Sequence, residues 1–179
     1  MKYWWHTANG KLFDPKGGQS LSPRQQIREW KGKMTRSDVL TAKQVRDYRL
    51  RYPDKAILCD YDHLDGWSAM IAGVSLPPIH PPGHPSLMAA LPKMRPFDLA
   101  TGLTDQQWAV AEPDRHYIVY SASGAAIQLD LSGTQNTFAV RWVNATTGSW
   151  TDAGTVSGGE VHRLTPPTPG RAFLWLSRK

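Results

Sequence analysis

The chain has 179 residues, enough for one ordinary domain or two small ones, and a globular composition of 40% hydrophobic and 20% charged residues. Its net charge of +6 is uneven, because 13 of the 21 Lys and Arg but only 5 of the 15 Asp and Glu fall in residues 1–55. Those cations are scattered with no run of five, which predicts a solvated basic face and no nucleic-acid partner. No apolar run approaches the roughly 20 residues that span a bilayer, so no membrane partner is expected.

The opening stretch, MKYWWHTANGKLF, has a lysine but no apolar core of the kind a signal peptide carries. Lys2 to His6 reads as a short aromatic strand, and Asn9-Gly10 as a turn. Trp4, Trp5 and His6 are candidates for substrate binding, since aromatic rings stack on the apolar face of a sugar; they also suit a core. Ser22-Pro23 predicts a helix start, which puts Arg24 and Gln25 at the mouth of the same cleft or on a helix surface. Ser37-Asp38 opens a second predicted helix, with Val45, Tyr48 and Tyr52 at helical spacing and Pro53 as its stop.

Ala56 to Cys59 reads as a short apolar strand, and Trp67 to Leu76 as a buried helix. Between them lie Asp60, Asp62, His63 and Asp65. A polar cluster between strand and helix is where α/β proteins carry their chemistry. These four are the candidate catalytic residues, with a carboxylate and His63 serving as an acid/base pair. Asp60, Asp62 and Asp65 supply hard oxygen ligands for Ca²⁺, and a nearby His extends the choice to Zn²⁺, so a divalent metal is a candidate cofactor. A structural alternative stays open, in which the same residues cap the following helix. Cys59 reads as a buried thiol, and as the single cysteine it permits no internal disulfide. The run from Pro77 to Pro96 holds seven prolines and predicts a linker with one helical turn near Ser86–Leu91. Its histidines His80 and His84 cannot share a helix face there.

From Gln106 onwards the period becomes 2. Seven strands are predicted: Trp108–Ala111, Tyr117–Ser121, Ala126–Leu131, Phe138–Asn144, Thr151–Val156, Val161–Thr165 and Ala172–Ser177. Turn pairs such as Ser123-Gly124, Ser132-Gly133 and Thr147-Gly148 separate them. Seven short strands at intervals of about ten residues predict an antiparallel β-sandwich. Alternation turns Trp142 inward with Phe138 and Val140, and leaves Trp150 as the exposed tryptophan. Ser121 and Ser123 lack the setting of a nucleophile elbow.

YWWHTANGKLFDPKGGQSLSPRQ, YPDKAILCDYD, GWSAMIAGVSLPPI and RHYIVYSASGAAIQLDLSGTQNTFAVRWVNATTGSWTDAG together resemble the C-terminal part of apiosidase-like glycoside hydrolases. In that family a (β/α)₈ barrel is followed by a small β-sandwich labelled a collagen-binding domain, and the proteins are often exported. The resemblance implies an α+β chain: residues 1–90 as the last two βα units of a barrel and residues 91–179 as the sandwich. It implies that most of the barrel, with its principal catalytic carboxylates, is missing from this sequence. It points to a bacterial, hydrolase-derived protein with carbohydrate or another small molecule as substrate, and a homo-oligomer is expected to cover the exposed barrel remnant. Two alternatives accompany it: a metal-dependent ester or lactone hydrolase using the Asp60, Asp62 and His63 cluster, and a non-catalytic polymer-binding module.

Overall fold

The computed structural model describes residues 38–58, 66–75, 77, 84–99, 106–144 and 147–179. Among the described residues, three helices come first: α1 (Asp38–Arg51), α2 (Gly66–Ala72) and α3 (Pro85–Ala90), the last followed by a 3-10 turn at Leu91–Lys93. Eight strands follow: β1 (Arg95–Phe97), β2 (Gln107–Glu112), β3 (His116–Ser121), β4 (Ile127–Asp130), β5 (Thr137–Asn144), β6 (Trp150–Ser157), β7 (Val161–Leu164) and β8 (Ala172–Arg178). The order β1-β2-β3-β8-β5-β6 makes a six-stranded antiparallel sheet, and β4 pairs with β7 in a small second sheet. The fold is α+β, an antiparallel β-sandwich with helices on its outer side.

All seven strands predicted downstream of Gln106 are present, with ends shifted by a residue or so. The inner layer is the one that alternation foretells. Phe138, Val140 and Trp142 of β5 join Val119, Leu174 and Leu176 of the central strands against Ile127 and Leu129 of the small sheet. Each large side chain removed from water there stabilises the fold by about 1.5–3 kcal/mol.

The outer face of the same sheet is also apolar. Trp108, Val110, Ile118, Tyr120, Phe173 and Trp175 lie in one cluster with Val45 of α1, Trp67, Met70 and Ile71 of α2, and Leu87 of α3. The Trp67 ring sits 4.6 Å from that of Phe173. Trp108 Nε1 donates a 3.1 Å hydrogen bond to the Ser68 carbonyl. Strands β2, β3 and β8 are therefore covered on both sides, which is why WAVA, YIVY and AFLWL are continuous apolar runs rather than alternating ones.

Elsewhere the structure corrects local expectations. Helix α2 ends at Ala72, four residues short of the predicted Leu76. Gly73, at φ +112°, sends its N–H to Met70 O while Val74 N–H reaches Ala69 O, a Schellman stop. Ala56 to Leu58 form no strand with any described residue. The backbone of Ile57 bonds Ser75 instead: Ser75 N–H donates to Ile57 O at 2.9 Å, and Ile57 N–H donates to Ser75 Oγ at 3.0 Å. The proline-rich segment holds more order than its composition suggests. Pro85 opens α3, where a proline's missing N–H costs nothing, and Pro96 sits in the edge strand β1.

Candidate functional site

Asp60, Asp62, His63 and Asp65 lie outside the described residues, as do Trp4, Trp5, His6, Arg24 and Gln25, and with them Cys59 and His80. What the structure does define is the frame on either side of the acidic segment. Leu58 precedes it and Gly66 opens α2 after it.

Arg49, near the end of α1, ties that frame together. Its Nε and one terminal nitrogen donate to the Gly73 carbonyl at 3.1 and 2.7 Å, and the second of these also reaches Ser75 Oγ at 2.9 Å. The other terminal nitrogen donates to the carbonyls of Pro53 at 3.0 Å and Lys55 at 2.9 Å. One guanidinium thus fixes the chain entering the acidic segment and the chain leaving α2. Burial and the positive charge of Arg95 both push its pKa below the usual arginine value. Among the described residues no three His, Cys, Asp or Glu side chains group to hold a metal.

A shallow groove of about 490 Å³ opens between the two sheets at one end of the sandwich. Phe97 and Tyr117, edge to face at 5.4 Å, form its apolar wall, and Asp98, Asp114 and Asp130 bring carboxylates to it. Asp98 is paired with Arg46 of α1. The Ser132 side chain and its backbone N–H, the latter at 2.8 Å, hold the Asp130 carboxyl below the usual carboxylate range, so it is an anion at neutral pH. The described lining carries three carboxylates and no histidine, lysine or arginine.

The tryptophans of the sandwich separate by face. Trp142 is in the inner layer, 4% exposed, as alternation predicts. Trp150 is not the exposed residue expected; it is half-buried on the outer face, perpendicular to Trp175 at 5.6 Å and to Phe173 at 6.0 Å. The physical reason is that β6, although an edge strand, aims Trp150 at the same face that the helices cover. His84 caps α3, its Nδ1 accepting from Ser86 N–H at 3.3 Å, and sets its ring against Trp150 and Trp175 at 5.7 and 5.4 Å. Arg141 completes this corner, with its guanidinium 5.0 Å over the Trp175 ring, Nε on Asp152 at 3.0 Å and a terminal nitrogen on Ser177 Oγ at 2.9 Å. The sequence signal for the corner is the paired spacing Trp150/Asp152 on one edge and Phe173/Trp175 beside it. His84 gave none.

A family model described as "Domain of unknown function (DUF6298)" matches residues 1–94, and one described as "Putative collagen-binding domain of a collagenase" matches residues 100–175. No curated protein is similar enough to count as a relative. Among solved structures, one described as "Glycoside hydrolase" overlays 82% of this chain on 48% of its own, at 14% identity and a TM-score of 0.53. A family 5 glycoside hydrolase from Bacteroides vulgatus ATCC 8482 is similar over 48% of this chain and 20% of its own, at 20% identity and a TM-score of 0.42. A family 44 xyloglucanase from Paenibacillus polymyxa is similar over 41% and 16% respectively, at 19% identity and a TM-score of 0.30. The chain spans about half the length of the first of these and less of the others; what the 0.53 overlay shows is a shared fold. With more than half of its residues inside the first model, the chain belongs to the family of the domain of unknown function DUF6298.

Proposed function

We propose that this protein is a hydrolase-derived module of the glycoside-hydrolase type, directed at carbohydrate. One observation carries the reading. The helices and the sandwich share a continuous core, closed by Trp67 on Phe173 and by Trp108 on Ser68, and this composite is what overlays on the structure described as a glycoside hydrolase over 82% of the chain. In this reading the sandwich buttresses the end of a barrel related to that of apiosidase-like enzymes. The acidic segment Asp60 to Asp65, framed by Arg49 and Ser75, then stands at the rim of a sugar site.

Glycoside hydrolysis needs two carboxyl groups: an acid that protonates the leaving oxygen, and a base or nucleophile on the opposite side of the anomeric carbon. Asp60 or Asp62 with His63 is the acid/base pair we assign to the part of such a site that this chain retains, with Asp65 as a further carboxylate and Trp4, Trp5, His6, Arg24 and Gln25 as substrate contacts. A divalent ion held by Asp60, Asp62 and Asp65 is the further element this assignment accommodates.

The test is turnover of aryl glycosides and natural glycans by the purified chain, with and without chelator, alongside Asp60→Asn and Asp62→Asn. Cleavage that falls about a hundredfold or more in one of the two variants is the expected result. Chelator-sensitive hydrolysis of aryl esters or lactones without glycoside cleavage would overturn the carbohydrate reading. So would a chain that neither cleaves nor binds any glycan.

A further inference from the structure

Among the described residues, helices roof the outer face of the six-stranded sheet only over part of its width. By register, Trp175 of β8 stands beside Arg141 of β5, which stands beside Asp152 of β6, and Trp150 lies two residues from Asp152 on the same face. Beyond this row the face continues as Ser177 and His116. The Asp152 side chain is 85% exposed and that of Arg141 28% exposed, so this side of the face is open to solvent.

We propose that this corner is a subsite for one pyranose unit of a neutral glycan, stacked on Trp150 and hydrogen-bonded by Arg141 and Asp152. The inference rests on the carbohydrate-directed reading above and names where such a ligand sits. Three features support it. Trp150 is held before any ligand arrives, perpendicular to Trp175 and Phe173 and flanked by His84, so little side-chain freedom is lost on stacking. The Arg141–Asp152 pair sets donors and acceptors side by side, the complement of two neighbouring sugar hydroxyls. The pair also carries no net charge, which favours a neutral sugar over a uronate.

The third feature is unspent polarity. Trp175 is 1% exposed, yet its Nε1 has no partner among the described residues, and neither has the buried Nδ1 of His116, whose ring stacks on Trp175 at 6.2 Å. Buried polar atoms are normally satisfied, and this orphaned pair lies on the outer face next to the open polar corner. Glu112, Arg115 and Lys93 are the charged groups around His116. Burial, the largest influence, lowers its pKa, so the ring is neutral at pH 7 and adds no charge to the corner.

The probes are β-1,4-linked gluco-, xylo- and mannohexaose, with polygalacturonate and a triple-helical collagen-like peptide as the competing chemistries. Binding is read by titration calorimetry and by tryptophan fluorescence. At least one neutral hexaose should bind, about tenfold more weakly to Trp150→Ala and to Asp152→Ala, a factor equal to one good hydrogen bond or stacking contact. Trp150→Phe should retain most of the affinity, Tyr52→Ala just past the end of α1 should change nothing, and Asp152→Ala should unfold at the wild-type temperature. Neutral-glycan binding or cleavage that both variants leave intact would overturn the subsite while the carbohydrate reading stands. Preference for polygalacturonate or for the collagen-like peptide, lost in the same variants, would overturn the choice of ligand. Absence of any glycan binding or cleavage would overturn both.

Discussion

Replacing Trp67 by alanine asks whether the helices and the sandwich are one folding unit. Trp67 is 2% exposed, and its ring packs at 4.6 Å on Phe173, in the middle of the sheet's outer face. A buried tryptophan hides about 150–250 Å², so at about 25 cal/mol per Å² the lost transfer energy alone is several kcal/mol. Large-to-small replacements of this kind cost about 3–5 kcal/mol, against a total stability of about 5–15 kcal/mol for a typical domain. At about 2–4 °C per kcal/mol for a chain of this size, the unfolding midpoint should fall by roughly 10 °C. The sharper readout is hydrogen exchange followed by segment. If the outer core is continuous, exchange should quicken in β2, β3 and β8 as well as in α2. Faster exchange confined to residues 66–75, with residues 107–121 and 172–178 unchanged, would mean that the helices are an independent layer resting on a self-sufficient sandwich.

Arg49→Ala removes the donors that hold Pro53, Lys55, Gly73 and Ser75 together; it should cost about 2 kcal/mol and raise exchange in residues 53–58 and 73–75, measured by urea unfolding and hydrogen exchange. Gly158→Ala should be among the costly single changes on the surface, about 1–3 kcal/mol or more, because a Cβ there would lie 2.2 Å from the Thr134 carbonyl oxygen, a backbone atom that cannot swing away. His116 has its pKa lowered by burial first, so the unfolded chain binds the extra proton more readily than the folded one. Stability should therefore fall as pH drops from the ordinary histidine range towards the lower folded value, and His116→Gln should flatten that part of a pH–unfolding profile. A variant that keeps the full slope would assign the effect to another group.

The inner layer of this fold was legible because one physical rule governs it. A strand covered on one side alternates, and IQLD and TFAVRWVN do so cleanly, so β4 and β5 and the inward Trp142 could be read from spacing. Several turns were legible from glycine beside a small polar residue, as at Ser123-Gly124 and Ser132-Gly133, whereas the β2–β3 turn at Pro113-Asp114-Arg115 has no glycine and places Asp114 at φ +64°. The short helix α3 was foreseen only as one helical turn near Ser86–Leu91, and the structure adds Pro85 as its first residue. What spacing could not show is where two backbones meet by side-chain hydrogen bonds. Ser75 takes up the backbone of Ile57, and nothing in AILC distinguishes a run that bonds a serine from one that joins a sheet. The acidic segment was found by composition alone, and its geometry is outside the described residues.

Trp150 was misread as exposed for a reason that also bears on function. YIVY and AFLWL carry apolar side chains at every position, which a one-sided sandwich strand does not require, since its outward residues would meet water. An apolar Tyr120, Phe173 and Trp175 on the outward side demand a cover, and Trp67, Ile71 and Leu87 are that cover. The collagen-binding-like region is thus incomplete at its own surface without residues that precede it. Tyr120, Phe173 and Trp175 would present a bare aromatic strip if the sandwich were expressed from residue 95 onwards. That truncation should self-associate or precipitate where the whole chain does not, measured by light scattering at matched concentration. A truncated sandwich that stays monomeric with wild-type exchange in β8 would show that the helices merely rest on the sheet, and would remove the composite core on which the hydrolase-derived reading stands.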